Sequence, residues 1–499
     1  MTMKQKRITL LSSLIAMLLL APFALADELK VGWASVDITP EISEQRQAVL
    51  GGLLIPRYAS TVKSPLTATA LALESTSPKG VNEQAVLISC DLTTTVFFYN
   101  EHPSLLLQVR ERLHNRLPDL NPGKVFLMAT HAHSTPTFDE NLFPVKKEGI
   151  VPPAEYLELL VTRLTAVIER AWLARKPGGV SWGLDHAVVG YNRRVVYPDG
   201  RAVMGGWRRN PKFDRVEGME DHGVELLCFW SPARKLTGIL INVACPSQVD
   251  SQALFVSADF WDSVRNNLRK NPDFADVAIL PQLAAAGDQW PTYSYVREKA
   301  EAIMRERRGL SKTEELGRRI ANAVLDAYPY SKQDIAYDLP FIHRVEPVKI
   351  PYRQLTASEA SDVQKELSRL EITTSDPFRY SQMQKCRTIL ERYSRQKDGP
   401  IAAEIEIHVL RLGDVAMATN PFELYVDYGM QIKAQSPATL TLTSQLSAEV
   451  GPYEGYLATS RAIAAGGYSA EILWMNYVGP EGGRVLVDRT VEIINELWK

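Results

Sequence analysis

Short apolar runs bounded by Gly, Pro, Asn and Asp alternate with amphipathic stretches along most of this chain. The first kind predicts strands over Leu29–Ala34, Thr67–Glu74, Gln84–Ser89, Lys124–Met128, Val224–Trp230, Gly238–Val243, Val277–Pro281, Ile405–Leu412 and Val415–Thr419. The second predicts helices over Pro103–Leu117, Pro153–Ala174, Trp261–Lys270, Lys312–Ala327, Ala357–Leu370, Ser381–Gln396 and Asp488–Trp498. Strands interleaved with helices imply an α/β architecture, with a mixed sheet core and flanking helices. The charged, helix-patterned region from Ser331 to Pro400 reads as a helical insertion laid on that core.

The N-terminus changes the picture of where this core works. Lys4, Lys6 and Arg7 precede an apolar segment from Ile8 to Leu25, and Ala24-Leu25-Ala26 fits a secretory cleavage site. Cleavage after Ala26 predicts an exported, periplasmic or secreted chain of residues 27–499. The formal charge then moves from −2 to −5, a balance that gives no electrostatic reason to expect nucleic acid. The remaining length exceeds the usual single-core ceiling of roughly 250–300 residues, so one elaborated domain and two packed ones both stay open. Cys90, Cys228, Cys245 and Cys386 are too few for a disulfide scaffold. They read as buried thiols, with a Cys228–Cys245 bridge as the alternative an oxidising compartment permits.

Residues capable of chemistry gather where the predicted strands end, which is where open α/β folds bind ligands. After Val125–Met128 comes Thr130-His131-Ala132-His133-Ser134. On extended backbone two histidines at i and i+2 point the same way, so both can approach one metal, or one binds it while the other handles a proton. A surface loop is the plainer alternative. Further blocks are Ser89-Cys90-Asp91, Asn192-Arg193-Arg194, Glu220-Asp221-His222-Gly223, Ala286-Gly287-Asp288-Gln289, Asn420-Pro421-Phe422-Glu423 and Tyr453-Glu454-Gly455-Tyr456. Paired guanidinium groups at 193–194 suit an oxyanion.

Several of these blocks together resemble the N-terminal domain of the neutral/alkaline (non-lysosomal) ceramidase family. They are Val31-Gly32-Trp33 through Asp37-Ile38-Thr39-Pro40, Thr130-His131-Ala132-His133-Ser134, Asn192-Arg193, Ser257-Ala258-Asp259-Phe260, Ala286-Gly287-Asp288, Pro421-Phe422-Glu423 and Gly455-Tyr456. The resemblance implies a zinc hydrolase cleaving an amide or ester through a zinc-activated water, with a small or lipid-like substrate. It implies His131, Glu423 and Tyr456 as zinc ligands, with His133 and Arg193 at the scissile carbonyl. Arg193 would stabilise the oxyanion, and His133 or Asp288 would carry the proton.

Two positions depart from the family pattern. Asn242-Val243-Ala244 is followed by Cys245-Pro246-Ser247-Gln248, where the family has a second histidine ligand. Gly287-Asp288-Gln289-Trp290-Pro291 has tryptophan where the family carries a serine. His222 is therefore the expected replacement ligand, an imidazole beside a core strand. No C-terminal all-β domain is expected after Gly482-Gly483. The alternative function is a catalytically inactive homologue binding a lipid or glycan through Trp33, Trp182, Trp207, Trp290 and Tyr293.

Overall fold

All nine predicted strands form, and with four others they build three separate sheets rather than one. The computed structural model describes residues 28–76, 82–98, 103–143, 148–206, 210–291, 297–376 and 378–499; residues 1–26, expected as an export signal, and Trp207 and Tyr293 lie outside them. The first sheet contains β1 (Glu28–Asp37), β2 (Thr67–Thr76), β3 (Asn82–Cys90), β4 (Val125–Ala129) and the short β5 (Lys176–Pro177), ordered β4-β3-β2-β1-β5. The second contains β6 (Gly179–His186), β7 (Gly223–Trp230), β8 (Leu236–Val243) and β9 (Ala278–Leu283), ordered β9-β8-β7-β6. The third contains β10 (Phe341–Pro351), β11 (Ala402–Leu412), β12 (Val415–Thr419) and β13 (Leu440–Ser444) in that order.

Each sheet is antiparallel except for one parallel pair at its edge: β3–β4, β8–β9 and β12–β13. A parallel pair needs a crossover, and here each is a helix. These are α1 (Leu105–His114), α3 (Phe260–Leu268) and α7 (Val426–Gln435) respectively. Between the first and third of them in the chain lie α2 (Pro153–Leu173), α4 (Lys312–Ser331), α5 (Ala357–Ile372) and α6 (Arg379–Arg395), while α8 (Pro480–Leu497) closes the fold. Local chemistry sets several starts. Ser104 Oγ caps α1 through Leu107 N–H, and α4 and α5 begin with full capping boxes at Ser311/Glu314 and Thr356/Glu359.

The sheets meet on an apolar core to which all three contribute. Leu71, Leu87 and Phe126 come from the first, Leu227, Phe229 and Leu240 from the second, and Leu410, Met417 and Leu442 from the third. The buried β3 and β4 read as unbroken apolar runs because both of their faces are covered.

Some expectations need correction. The insertion expected over residues 331–400 opens with a strand, β10, and only α5 and α6 form the helical hairpin. Pro347 and Pro351 obscure β10 in the sequence; the fold accepts them because β10 is an edge strand. Helix α8 begins at Pro480 rather than Asp488. Its Gly482 and Gly483 are there for contact, since a Cβ on Gly483 would lie 2.4 Å from the Tyr428 ring. The four cysteines are buried and free, so Cys228 and Cys245 do not bridge. Among the described residues no helix is long and apolar enough to cross a membrane.

The first and third sheets are also joined by a polar chain. The Gln84 carbonyl, His343, His408 and Glu406 follow one another at 2.8, 2.8 and 2.7 Å, and Arg110 pairs with Glu406 at 2.5 Å. Burial pushes the Glu406 carboxyl up, but hydrogen bonds from His408 and Arg110 outweigh it and bring it down to about 2. A depressed carboxyl contributes stability above its ordinary value of 4.5 and loses it as pH falls towards 2. Glu406→Gln is therefore expected to lower unfolding stability by about 1.5–3 kcal/mol at neutral pH. The gap from wild type should close progressively below pH 4.5 in denaturant titrations. A gap independent of pH would show that the charge is not what matters.

Candidate functional site

The carboxyl ends of the three parallel pairs deliver the site. Chain leaving β3 reaches Thr93, and chain leaving β4 is held beside it by Thr130 N–H donating to Cys90 O at 3.0 Å. His131 follows at φ 59°, an uncommon angle for a residue other than glycine. Its Nδ1 lies 2.6 Å from Thr93 O. A carbonyl oxygen only accepts, so Nδ1 carries a proton, and Nε2 is the nitrogen left to bind a second proton or a cation. That Nε2 lies 3.4 Å from Glu423 Oε2 and 3.3 Å from His133 Nε2. The other Glu423 oxygen accepts from the Tyr453 hydroxyl. Glu423 pairs directly with Tyr456 in a two-residue parallel bridge, and the Tyr456 and Tyr468 hydroxyls are 3.2 Å apart. The Arg193 guanidinium faces both of those rings, 5.2 and 5.3 Å from their centroids, and donates to Gly287 O at 2.6 Å. Chain leaving β8 brings the Gln248 amide to 3.0 Å from His133 Nε2.

Little of this cluster meets solvent: His131 and Glu423 are each 4% exposed, Arg193 5% and Tyr456 2%. Burial therefore shapes every charge. It pulls the His131 imidazole down, but the Glu423 charge more than compensates and raises it. Burial and the neighbouring His131, Arg57 and Arg193 hold His133 well below the ordinary imidazole range. Burial raises the Glu423 carboxyl, and His131, Arg193 and Tyr453 bring it below its usual value. Burial and the Glu423 charge hold the Tyr456 phenol well up. Lone pairs from His131 and a carboxylate thus converge in a dry setting beside a phenol, a donor set that calls for a proton or a cation.

The walls are fixed by main-chain contacts of little tolerance. A Cβ on Gly287 would sit 2.2 Å from Glu423 O, and one on Gly52 (φ +74°) would sit 2.6 Å from His133 Cα. Arg57, buried and without a carboxylate partner among the described residues, donates to the carbonyls of Gly51, His133 and Ala253 at 2.8, 2.6 and 2.8 Å. Gln445 Oε1 accepts from Ala286 N–H at 2.9 Å and Leu424 N–H at 3.0 Å, binding the Gly287 loop to the Glu423 strand. Gln445→Leu would strand two buried N–H groups. It should lower stability by about 2–4 kcal/mol, read as a lower denaturant midpoint with an unchanged slope. Wild-type stability in this variant would show that water replaces the amide.

The structure brings together His131, His133, Arg193, Glu423 and Tyr456, and leaves out two residues the sequence suggested. His222 lies 3.2 Å from Glu220 and near the Tyr191 ring, with no contact to His131, Glu423 or Tyr456. It opens β7, an antiparallel strand outside the parallel pairs that feed the site. The Asp288 carboxylate is taken by the Asn192 amide at 2.7 Å and Val426 N–H at 3.1 Å. Its main-chain oxygen accepts from Arg193 N–H at 2.8 Å, which fixes the backbone that carries Arg193. Cys245 packs in the apolar cluster of the second sheet. Of the aromatic set, Trp33 packs edge-on against Phe229, and Trp182 is an exposed side chain of β6.

Sequence reasoning missed Tyr453, Tyr468, Gln248 and the Thr93 carbonyl. Tyr453 stands in the same block as Tyr456, and Gln248 stands in the run where the second histidine is absent; Thr93 and Tyr468 carry no local signal. Among the described residues no group of three or more His, Cys, Asp or Glu side chains could hold a metal ion by itself. The convergent set is His131 and Glu423 beside the Tyr456 phenol.

No protein-family model matches the chain, and no curated protein matches it in sequence. Solved structures do. The neutral ceramidase from Pseudomonas aeruginosa superposes with a TM-score of 0.64 at 17% identity, over 94% of this chain and 75% of that one. A ceramidase complexed with C2 gives the same score and coverage at 16% identity. A mixed α/β chain with helices between and around its sheets, this protein has the fold of neutral ceramidase.

Proposed function

We propose that this protein is an exported, zinc-dependent hydrolase that cleaves an amide or ester bond in a small or lipid-like substrate. The observation that carries the reading is the His131 Nε2 lone pair, fixed by Thr93 and aimed at Glu423 within 3.4 Å, with Arg193 over the adjoining tyrosines. The fold shared with neutral ceramidase supports the same reading. Zinc would be held by His131, Glu423 and Tyr456, and would supply Lewis-acid polarisation of a carbonyl oxygen.

This chain's own groups do the rest. Thr93 O orients His131 and fixes its tautomer, as metal-binding imidazoles commonly require. Arg193, held by Gly287 O and by the Asp288 main chain, presents a permanent positive charge to the oxygen on which negative charge develops. His133, kept neutral by its surroundings and held at Nε2 by Gln248, is the group placed to take up a proton and pass it to the leaving group. The basic–apolar–Ala24-Leu25-Ala26 segment supports export.

Metal content and turnover measured together test these roles, using substrates found by screening small amides and esters. His131→Ala and Glu423→Ala should each abolish bound zinc and the stabilisation that zinc confers, about 2.7 kcal/mol at a 100-fold excess over Kd. His133→Ala should retain zinc while turnover falls by roughly 10²–10⁴-fold. Arg193→Lys should also retain zinc and lose turnover, because an ammonium cannot reproduce the planar guanidinium. Full zinc occupancy in His131→Ala would overturn the ligand assignment. Zinc loss in His133→Ala equal to that in His131→Ala would make both imidazoles ligands.

Substrate choice follows from Trp290. Its ring packs against Gly205, whose N–H donates to Arg193 O, so indole bulk stands beside the main chain that carries Arg193, where the family pattern has a serine. Small amides or esters should therefore be turned over faster than long-chain ceramide. Equal kcat/KM for ceramide and the best small substrate would contradict this.

A further inference from the structure

The edge of a sheet is an open template for another strand, and two edges of this fold are guarded differently. β10, at the edge of the third sheet, exposes Arg344, Pro347 and Lys349, which discourage pairing. β6, at the edge of the second sheet, instead exposes Trp182 and Leu184, which are 39% and 47% accessible. Trp182 stands opposite Leu227 in the ladder, so both belong to the face that enters the common core one strand further in.

Alternation along the strand decides which polar groups of β6 are open. Ala187 N–H turns inwards to His222 O, whereas Val180 turns outwards and exchanges two bonds with Ala336, at 2.8 and 2.9 Å. Trp182, Leu184 and His186 share the parity of Val180, so their main-chain N–H and C=O groups also point away from β7. At Trp182 and Leu184 those groups have no partner among the described residues. The His186 N–H is taken by Asp185 Oδ1 at 2.6 Å, which leaves its carbonyl. The open stretch is thus bounded by Ala336 at one end and by the last residue of β6 at the other.

A second copy of this strand, antiparallel with Leu184 on the twofold axis, matches that stretch. The Leu184 N–H and C=O bond their equivalents, and each Trp182 N–H donates to the His186 carbonyl of the other copy. The His186 N–H, already satisfied, needs no acceptor there. Side chains agree with the register. Leu184 meets Leu184, Trp182 lies beside His186, and Asp185 falls opposite Gly183, so no like charges oppose one another. A longer strand would run into Ala336, but β6 ends at His186, opposite Trp182, before that position is reached.

We propose that β6 is a homodimer interface, through which the second sheets of two chains join into one continuous sheet about Leu184. Sedimentation velocity on the purified folded protein should show a monomer–dimer equilibrium that follows concentration. Leu184→Lys sets two ammonium groups on the axis and should weaken dimerisation about tenfold or more, with unchanged thermal unfolding of the exposed site. Register is read by oxidation of single-cysteine variants, since the four native cysteines are buried and free. Paired Leu184 positions have Cα atoms about 5.5 Å apart, within disulfide reach, so Leu184→Cys should give a covalent dimer. The Trp182 positions are offset by four residues, about 13 Å along the strand, so Trp182→Cys should not. Should these variants fail to fold, amide hydrogen exchange of the wild type decides: the Trp182 and Leu184 amides should exchange more slowly as concentration rises. A monomer at every concentration, a dimer indifferent to Leu184→Lys, equal cross-linking through Trp182→Cys, or exchange at Trp182 and Leu184 independent of concentration would each overturn the proposal.

Discussion

Residues Gln445–Ala448 hydrogen-bond to all three sheets, and the placement of the site depends on those bonds. Gln445 N–H donates to Leu283 O at the end of β9, at 3.1 Å. Ser447 N–H donates to Asn420 O beyond β12 at 3.0 Å, and Leu446 N–H to Phe422 O at 3.3 Å. Ala129 N–H donates to Leu446 O at 3.2 Å, and Ala448 N–H to Leu127 O at 3.0 Å, which ties in β4. Buried main-chain polar groups must be paired somewhere, and here one short segment satisfies the ends of three sheets. The segment does so at a conformational cost, since Leu446 and Ala448 hold φ of 48° and 58°.

Three parallel edge pairs explain why the groups that gather there come from distant parts of the chain. Each βαβ unit sends its carboxyl ends towards the same loop cluster: His131 and His133 from the first, Gln248 and Gly287 from the second, Glu423 from the third. The apolar core common to the sheets fixes their mutual angle, so the side chains arrive without needing to be near in sequence. The arrangement resembles the ligand-binding crevice of open α/β sheets, repeated at the junction of three.

Electrostatic preorganisation follows from the same convergence. Arg193, Arg57, His131 and Glu423 are all buried, and their charges interact in a setting where solvent screens little. Main-chain carbonyls absorb much of the positive charge: Gly287 O for Arg193, and Gly51, His133 and Ala253 for Arg57. The glycines at 52 and 287 are part of that design, because a methyl group at either would collide with the segment carrying His133 or Glu423.

Apolar periodicity by itself determined the existence of the nine predicted strands and of seven helices, but not of α7 (Val426–Gln435). Breaks in that periodicity at strand ends marked the candidate blocks, and the family resemblance picked His131, His133, Arg193, Glu423 and Tyr456 out of them. Strands β6 and β13, and the edge strand β10 with its two prolines, were not legible: their pattern makes sense only against the neighbours that cover or flank them. Helix α8 was read short because glycine disfavours helix locally, while close contact with Tyr428 demands glycine there. His222 and Asp288 had the right chemistry but the wrong destination. The His222 imidazole is held by Glu220 and the Tyr191 ring, while Asn192 and Val426 occupy the Asp288 carboxylate. Tyr468, Gln248 and the Thr93 carbonyl entered the cluster from separate loops, through long-range hydrogen bonds that no local spacing encodes.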